Sequence, residues 1–334
     1  MRIRVGVVGL NFGSWMIEHE LLVGDGAACV EIVAICDIQP EKVAMWSERL
    51  GVPGYTSLHE LLQQPAVQAV ALFTGPVGRA ALIQQIIDAG RDVITTKPFD
   101  GDSVAADAVL QAAVKARRII HLNSPPPLMT PDMAQLHAWI QQYDLGEPIA
   151  YRATTWCSYR EVADGSWYDD PQLCPVAPIF RLGIYLINDL SWFFRDVNHV
   201  SVQQSRIFTQ RPTADNAQLA IRYANGALGN IFASFCIDDM QYYRCAMELN
   251  FARGTLYRNV GPLHDSSHVH LSVVMAKEGV QEVLHAQTPP QGAGYQWHAF
   301  QQAVLNAQGI STEYAERVVT GLRLIDAMRQ SSNS

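Results

Sequence analysis

The sequence lacks several features that would assign it quickly, and each absence excludes something. Its six cysteines (Cys29, Cys36, Cys157, Cys174, Cys236, Cys245) include no C-x-x-C pair, which argues against a zinc site and against a disulfide framework. Buried thiols and no metal are expected. No apolar run approaches the roughly 20 residues that span a bilayer, and residues 1–8, too short and too β-branched for a signal peptide, lead straight into a glycine loop. A cytoplasmic protein with no membrane partner is expected. Basic runs are missing and the net charge is −8, so a nucleic acid finds no electrostatic footprint. Repeats and low-complexity tracts are also absent. What is present is a chain of 334 residues, 49 % of them apolar, enough for one large or two ordinary cores.

Two periods alternate through the first third. Short Val/Ile/Leu/Ala-rich runs at residues 5–8, 31–36, 67–73 and 92–95 read as strands buried on both faces. Helical patterns lie between them. Residues 40–51 place Pro40 at the start, Glu41 in the first turn, apolar Val43, Met45, Trp46 and Leu50 along the middle, and Gly51 at the end. Residues 78–90 align Leu82, Ile86 and Ile87 on one stripe. This alternation reads as βαβ units in an α/β, doubly wound parallel sheet.

The stretch "VGLNFGSW" (residues 8–15) follows the first of these strands. A dinucleotide loop needs glycine for a tight turn, for backbone approach to a pyrophosphate, and for close helix packing. Gly9 suits the turn and Gly13 the packing. The middle glycine is missing, replaced by Asn11 or deleted; Asn tolerates the left-handed conformation better than most residues. Asp37, in "VAICDIQ" at the end of the second strand, is placed to accept from ribose hydroxyls, the alternative being a cap for the helix that starts at Pro40. With Ile38 after it and no Arg beside it, Asp37 disfavours a 2′-phosphate, so NAD is expected over NADP. Thr74 and Pro76, in "FTGPVGR", leave the third strand at the same edge. Lys97, in "DVITTKPFDGD", puts an ammonium at the carboxyl edge of the sheet, where a desolvated lysine near other cations can exchange protons. An exposed loop lysine is the alternative. The candidate cofactor set is therefore Gly9, Asn11, Phe12, Gly13, Asp37, Thr74, Pro76 and Lys97.

Three consecutive prolines in "NSPPPLMTPD" (residues 123–132) break regular structure and suggest two domains, 1–123 and 124–334. Strand-like runs at 217–224 and 227–235 flank Asn225-Gly226, a strong hairpin signal. Further strands are expected at 200–210, 242–249, 268–275 and 280–286, and helices at 295–306 and 312–330. Such a sheet needs cover on both faces, by helices on one and a second subunit on the other. "DDPQLCPVAPIFRLGIYLINDLSWFF" ends in a helical pattern in which Arg181, Tyr185, Asn188 and Asp189 recur at three- and four-residue steps, and so on one face. Arg181 either awaits a carboxylate from outside or pairs with Asp169, Asp170 or Asp189. Tyr185 is either reactive or a core tyrosine. "SWYDDP" (166–171) lines a pocket rim or forms a turn packed on the sheet, and His121 reaches a cofactor or is a satisfied core histidine.

"VGVVGLNFG", "AICDIQPEK", "ALFTGP", "AGRDVITTKP" and "RLGIYLINDLSWF" occur in the order and spacing of the Gfo/Idh/MocA oxidoreductases, which the chain resembles over nearly its whole length. The resemblance implies an N-terminal Rossmann domain, a C-terminal α+β domain with a large, mostly antiparallel open sheet, and a homodimer or homotetramer joined through that sheet. It also implies NAD-dependent hydride transfer at a carbon of a sugar, polyol or sugar acid. The family pattern Asp-x-Gly-x-His keeps its glycine here as Gly183. Tyr185 stands at the histidine position, as in the branch containing glucose-fructose oxidoreductase and dihydrodiol dehydrogenase, and takes the acid/base role there with Lys97. Arg181 stands at the aspartate position, and with Asn188 and Asp189 makes the candidate substrate-binding set. A guanidinium near Lys97 and Tyr185 would lower both pKa values and suit an anionic substrate such as a sugar acid. Two other readings stay open on the same scaffold: an NAD-dependent glycosidase or lyase working by transient oxidation, and a non-catalytic NAD-binding regulator.

Overall fold

The computed structural model describes residues 1–240, 243–262, 267–290 and 294–332. Two units divide the chain: Met1–Leu128 with Ala293–Leu322, and Met129–Gly292 with Arg323–Ser334.

The first unit is built on six strands, β1 (Ile3–Val8), β2 (Val30–Cys36), β3 (Gly54–Tyr55), β4 (Ala69–Leu72), β5 (Asp92–Thr95) and β6 (Ile120–Leu122). Their order is β3-β2-β1-β4-β5-β6 and every pair is parallel, the strand order of a Rossmann sheet. The uninterrupted apolar runs follow from cover on both faces. Val70 and Leu72 enter one buried cluster with Val93 and Ile120, whereas Ala69 and Ala71 enter another with Ile94 and Val7, because successive side chains leave a strand on opposite sides. The helix expected at 40–51 runs Pro40–Leu50 and stops at Gly51, whose φ of +66° suits glycine.

The division differs from the expected 1–123 and 124–334 in one main respect. The helix Trp297–Leu305 contributes Trp297, Phe300 and Ala303 to the cluster that holds Ile3, Val5 and Val7, and Tyr314, Ala315 and Val318 join the cluster on the other face. Those apolar stripes draw the late segment back into the nucleotide-type unit. Leu324, Ile325 and Met328 belong to the core of the second unit.

The second unit has eight strands: β7 (Pro148–Trp156), β8 (Val197–Ser205), β9 (Asn216–Tyr223), β10 (Leu228–Ser234), β11 (Arg244–Phe251), β12 (Gly254–Arg258), β13 (Val269–Lys277) and β14 (Val280–Thr288). They lie in the order β14-β13-β12-β11-β7-β10-β9-β8, antiparallel except for β7 and β10. Asn225-Gly226 forms the expected β9–β10 turn, with Gly226 at φ +89°. Helices Pro131–Gln142 and Ile184–Leu190 cover one face through Met133, Leu136, Ile184 and Ile187. β8 ends at Ser205, short of the expected residue 210, because the buried Asp215 carboxylate takes the backbone N–H groups of Ile207, Phe208 and Thr209 at 2.7–3.1 Å, leaving them no ladder to join. Residue 242, the expected start of β11, lies outside the described residues. Among the described residues no helix is long and apolar enough to cross a membrane, and no group of His, Cys, Asp and Glu could hold a metal ion. The six cysteines are free thiols.

Candidate functional site

At the carboxyl edge of the parallel sheet, the turn after β1 is set by Gly9. Its φ is +88°, its N–H donates to the Cys36 carbonyl at 2.9 Å, and a Cβ there would lie 2.8 Å from the Thr74 nitrogen and 2.9 Å from the Phe73 carbonyl carbon. No side chain fits. Two expectations about the rest of the loop are corrected. Asn11 is right-handed, with φ −75°, and its side-chain oxygen accepts from Lys42 Nζ, so it does not substitute for a left-handed glycine. Gly13 is not needed for close packing, since a Cβ there would meet Phe73 and Val7 side chains at an ordinary 3.6 Å. Phe12 is exposed, stacked on Trp15 and edge-on to Phe73.

Asp37 directly follows β2 and is buried. Its carboxylate accepts from Leu10 N at 2.6 Å and Gln39 N at 2.9 Å, tying the glycine loop to the second strand. The helix that starts at Pro40 has Gln39 as its cap and no side-chain bond there, so capping is not what Asp37 does. Each carboxylate oxygen keeps a further acceptor site.

Lys97 follows β5 and is half-buried. Its backbone N–H donates to Asn123 Oδ1 at 2.9 Å. A residue that sequence reasoning missed organises this edge: the fully buried Arg79 donates to the carbonyls of Thr96, at 2.6 Å, and of Thr74 and Pro98. One guanidinium thus pins the loops after β4 and β5 together. Asn123 was missed as well, and the signal for both was their place beside quoted motifs, Arg79 at the end of "FTGPVGR" and Asn123 at the start of the proline run.

His121, on β6, is 7 % exposed and packs against Phe300; its Nδ1 has no hydrogen-bond partner among the described residues. It is a core histidine, though not a satisfied one. Burial pushes its pKa down to about 3 from 6.5. Because the folded value lies below the unfolded one, stability is complete above about pH 6.5 and falls with pH toward 3. At pH 5 the loss from this group is about 2 kcal/mol. Thermal unfolding against pH should show that loss, and His121→Leu should remove it; equal slopes for both proteins would reject the assignment.

In the second unit a π-helical turn, Ile179–Gly183, leads into the helix Ile184–Leu190. Arg181 sits on the π turn, 8 % exposed, and finds its carboxylate within the chain. Glu161 takes Nη1 at 2.6 Å and Nη2 at 2.8 Å, a bidentate pair. This partner is none of the three that sequence considered, and it meets the charge that an external anion was expected to meet. The guanidinium lies 3.9 Å from the Tyr168 ring centre, with Tyr159 and Phe235 around it. Arg211 extends the cluster to Glu161 at 3.0 Å, Asp164 at 2.9 Å and Asp169 at 2.7 Å. Burial acts to raise the Glu161 pKa, but the two guanidinium groups outweigh it and hold the carboxyl below its usual value. "SWYDDP" is a short 3-10 turn whose Trp167 and Tyr168 pack on the core. Asp189 turns to a different partner, Arg258 at 3.1 Å, which also holds the buried Asp132 at 2.7 Å. Asn188 is buried and Tyr185 half-buried against the same core.

A Rossmann unit with an acidic residue closing β2 and a lysine closing β5, followed by a unit built on one large sheet, defines a dinucleotide-dependent oxidoreductase architecture. Residues 3–124 match the model for the oxidoreductase family with an NAD-binding Rossmann fold, and residues 133–257 match the GFO/IDH/MocA C-terminal domain. The chain belongs to the GFO/IDH/MocA oxidoreductase family. It is 28 % identical over 157 residues to dehydrogenase aclE of Aspergillus oryzae, covering 45 % of this chain and 43 % of the relative. To inositol 2-dehydrogenase of Pseudomonas fluorescens it is 24 % identical over 222 residues, covering 66 % and 62 %. The aligned stretches thus span less than two thirds of either relative. The fold is similar to that of a levoglucosan dehydrogenase solved with NADH and levoglucosan, with a TM-score of 0.78, 17 % identity, and coverage of 100 % of this chain and 98 % of that one.

Proposed function

We propose that this protein is a dehydrogenase that transfers hydride between a nicotinamide cofactor and a hydroxyl-bearing carbon of a sugar or polyol. The observation that carries the reading is Lys97, an ammonium directly after β5 on the ligand-binding edge of an NAD-binding sheet, its loop fixed by Asn123 and Arg79. The residues fit a dinucleotide: Asp37 retains acceptor capacity toward a ribose, and the Thr74 hydroxyl is buried without a partner at the same edge. Gly9, Asn11, Phe12, Gly13, Asp37, Thr74 and Pro76 are the residues we assign to holding it, and Asp37 favours NAD over NADP. The cofactor accepts or supplies the hydride. In the first unit Lys97 is the group we assign to hydrogen-bond the reacting oxygen of the substrate; in the second, Tyr185 as its phenolate is assigned the hydroxyl proton, with Asn188 and Asp189 as candidate substrate-binding residues. Because Glu161 neutralises Arg181, a neutral polyol is preferred to a sugar acid. The exposed Leu228 and Val283 on the sheet of the second unit support a homodimer or homotetramer through that face, which light scattering would size.

The test is to supply NAD+ or NADP+ with inositols, hexoses, anhydrosugars and sugar acids and follow the near-ultraviolet absorbance of reduced nicotinamide. We expect it to rise with NAD+ and at least one neutral class, in step with ketone product. Product without reduced cofactor would replace net oxidation by transient oxidation. Bound cofactor with no product from any class would leave a regulator.

A further inference from the structure

Among the described residues of the first unit, two hydroxyl groups are buried without a hydrogen-bond partner: Thr74 Oγ1 and Tyr295 Oη. Tyr295 lies just before the helix Trp297–Leu305, on the segment that the chain returns to this unit after the large sheet. Its ring is edge-on to Phe73 at 6.0 Å and stacked on Trp297 at 5.5 Å. The hydroxyl faces Thr96 and feels the positive charge of Arg79, without closing a hydrogen bond of normal geometry. Burial, eased by Thr96, raises its pKa and keeps it a neutral phenol. Thr96 makes two bonds of its own, both at 3.5 Å, to the Lys97 carbonyl and Asn123 Oδ1. Thr74 and Thr96 thus lie on the two loops that leave β4 and β5, which Arg79 ties together through their carbonyls, and Tyr295 lies beside Thr96 and the Phe73 ring.

Packing does not account for this arrangement. A phenylalanine at 295 would make the same ring contacts, and burying a hydroxyl without a partner destabilises a fold. The strand order says what the missing partner is. On a sheet ordered β3-β2-β1-β4-β5-β6, a dinucleotide with its adenosine ribose at Asp37 after β2 and its pyrophosphate at Gly9 after β1 carries its other half past the ends of β4 and β5. We infer that Tyr295 is a cofactor-binding residue, its hydroxyl bonding, together with that of Thr74, to the polar groups of the nicotinamide riboside half. The inference rests on the dinucleotide reading of the first unit and adds a residue from the far end of the chain to it.

The experiment is Tyr295→Phe, with NADH and ADP titrated against the quenching of tryptophan fluorescence. ADP carries the adenosine half alone. We expect NADH to bind roughly three- to tenfold more weakly, as for loss of one neutral hydrogen bond, while ADP binds as to the wild type and the unliganded variant melts no lower. Thr74→Val should show the same split. Unchanged NADH affinity in Tyr295→Phe, or a parallel fall for ADP, overturns the inference. A wild type that binds neither ligand would instead overturn the dinucleotide reading beneath it.

Discussion

Lys97→Ala is expected to lower kcat by roughly 10²- to 10⁴-fold, the range for removing a positioned proton-transfer or hydrogen-bonding group, with NADH affinity within about twofold of wild type. The reason for the split lies in what the substitution leaves alone. The loop after β5 is held by backbone contacts, with the Lys97 N–H on Asn123 Oδ1 at 2.9 Å and the Thr96 carbonyl on Arg79 at 2.6 Å. Alanine keeps both. What goes is the ammonium, the group to which the proposed reaction gives the stabilisation of negative charge on the substrate oxygen. Lys97→Arg should fail to rescue, because a guanidinium keeps the charge but presents a rigid planar fork in place of a compact ammonium. Single-turnover hydride transfer and NADH titration on the same preparations check both halves. Retained turnover would remove Lys97 from the reaction, and lost NADH binding would make it a cofactor ligand instead.

The position of Lys97 at the sheet edge was readable in the sequence for the same reason that the parallel sheet was. Where a strand is covered on both faces, as β4 and β5 are at every position, the apolar run ends abruptly and the next polar residue is at an edge. Gly9, Asp37 and Lys97 each hold such a position, and Gly9 is tied further by contacts that allow no side chain. Where elements meet across irregular segments, composition says much less. The apolar stripe of Trp297, Phe300 and Ala303 announces a buried helix but not which sheet buries it, so the return of the chain to the first unit, and Tyr295 with it, was invisible. The one-face argument for Arg181 and Asp189 assumed regular α-helical steps. The π turn at Ile179–Gly183 changes the phase between them, and their partners, Glu161 and Arg258, sit on a loop and on β12 that no periodicity connects to them.

Glu161→Gln should lower the unfolding free energy by about 3–5 kcal/mol, the effect of breaking a buried ion pair from one side. Arg181 is 8 % exposed and Arg211 5 %, and both donate to Glu161, Arg181 through two nitrogens. Glutamine accepts at one oxygen and presents donors at the other end, so guanidinium N–H groups face an amide that also donates. Arg211 retains Asp164 and Asp169, which places most of the loss at Arg181. The pH dependence identifies the cause. The folded Glu161 pKa is held below its ordinary 4.5, so its contribution is complete above about pH 4.5 and is lost as pH falls through the folded value. The gap between wild type and variant should therefore be widest near neutrality and close on the acid side. Denaturant unfolding at several pH values measures it, with equal m-values required for the comparison. A gap below about 1 kcal/mol at neutral pH would mean that the pair is solvated like a surface salt bridge, and Arg181 would then be open again to an anionic substrate.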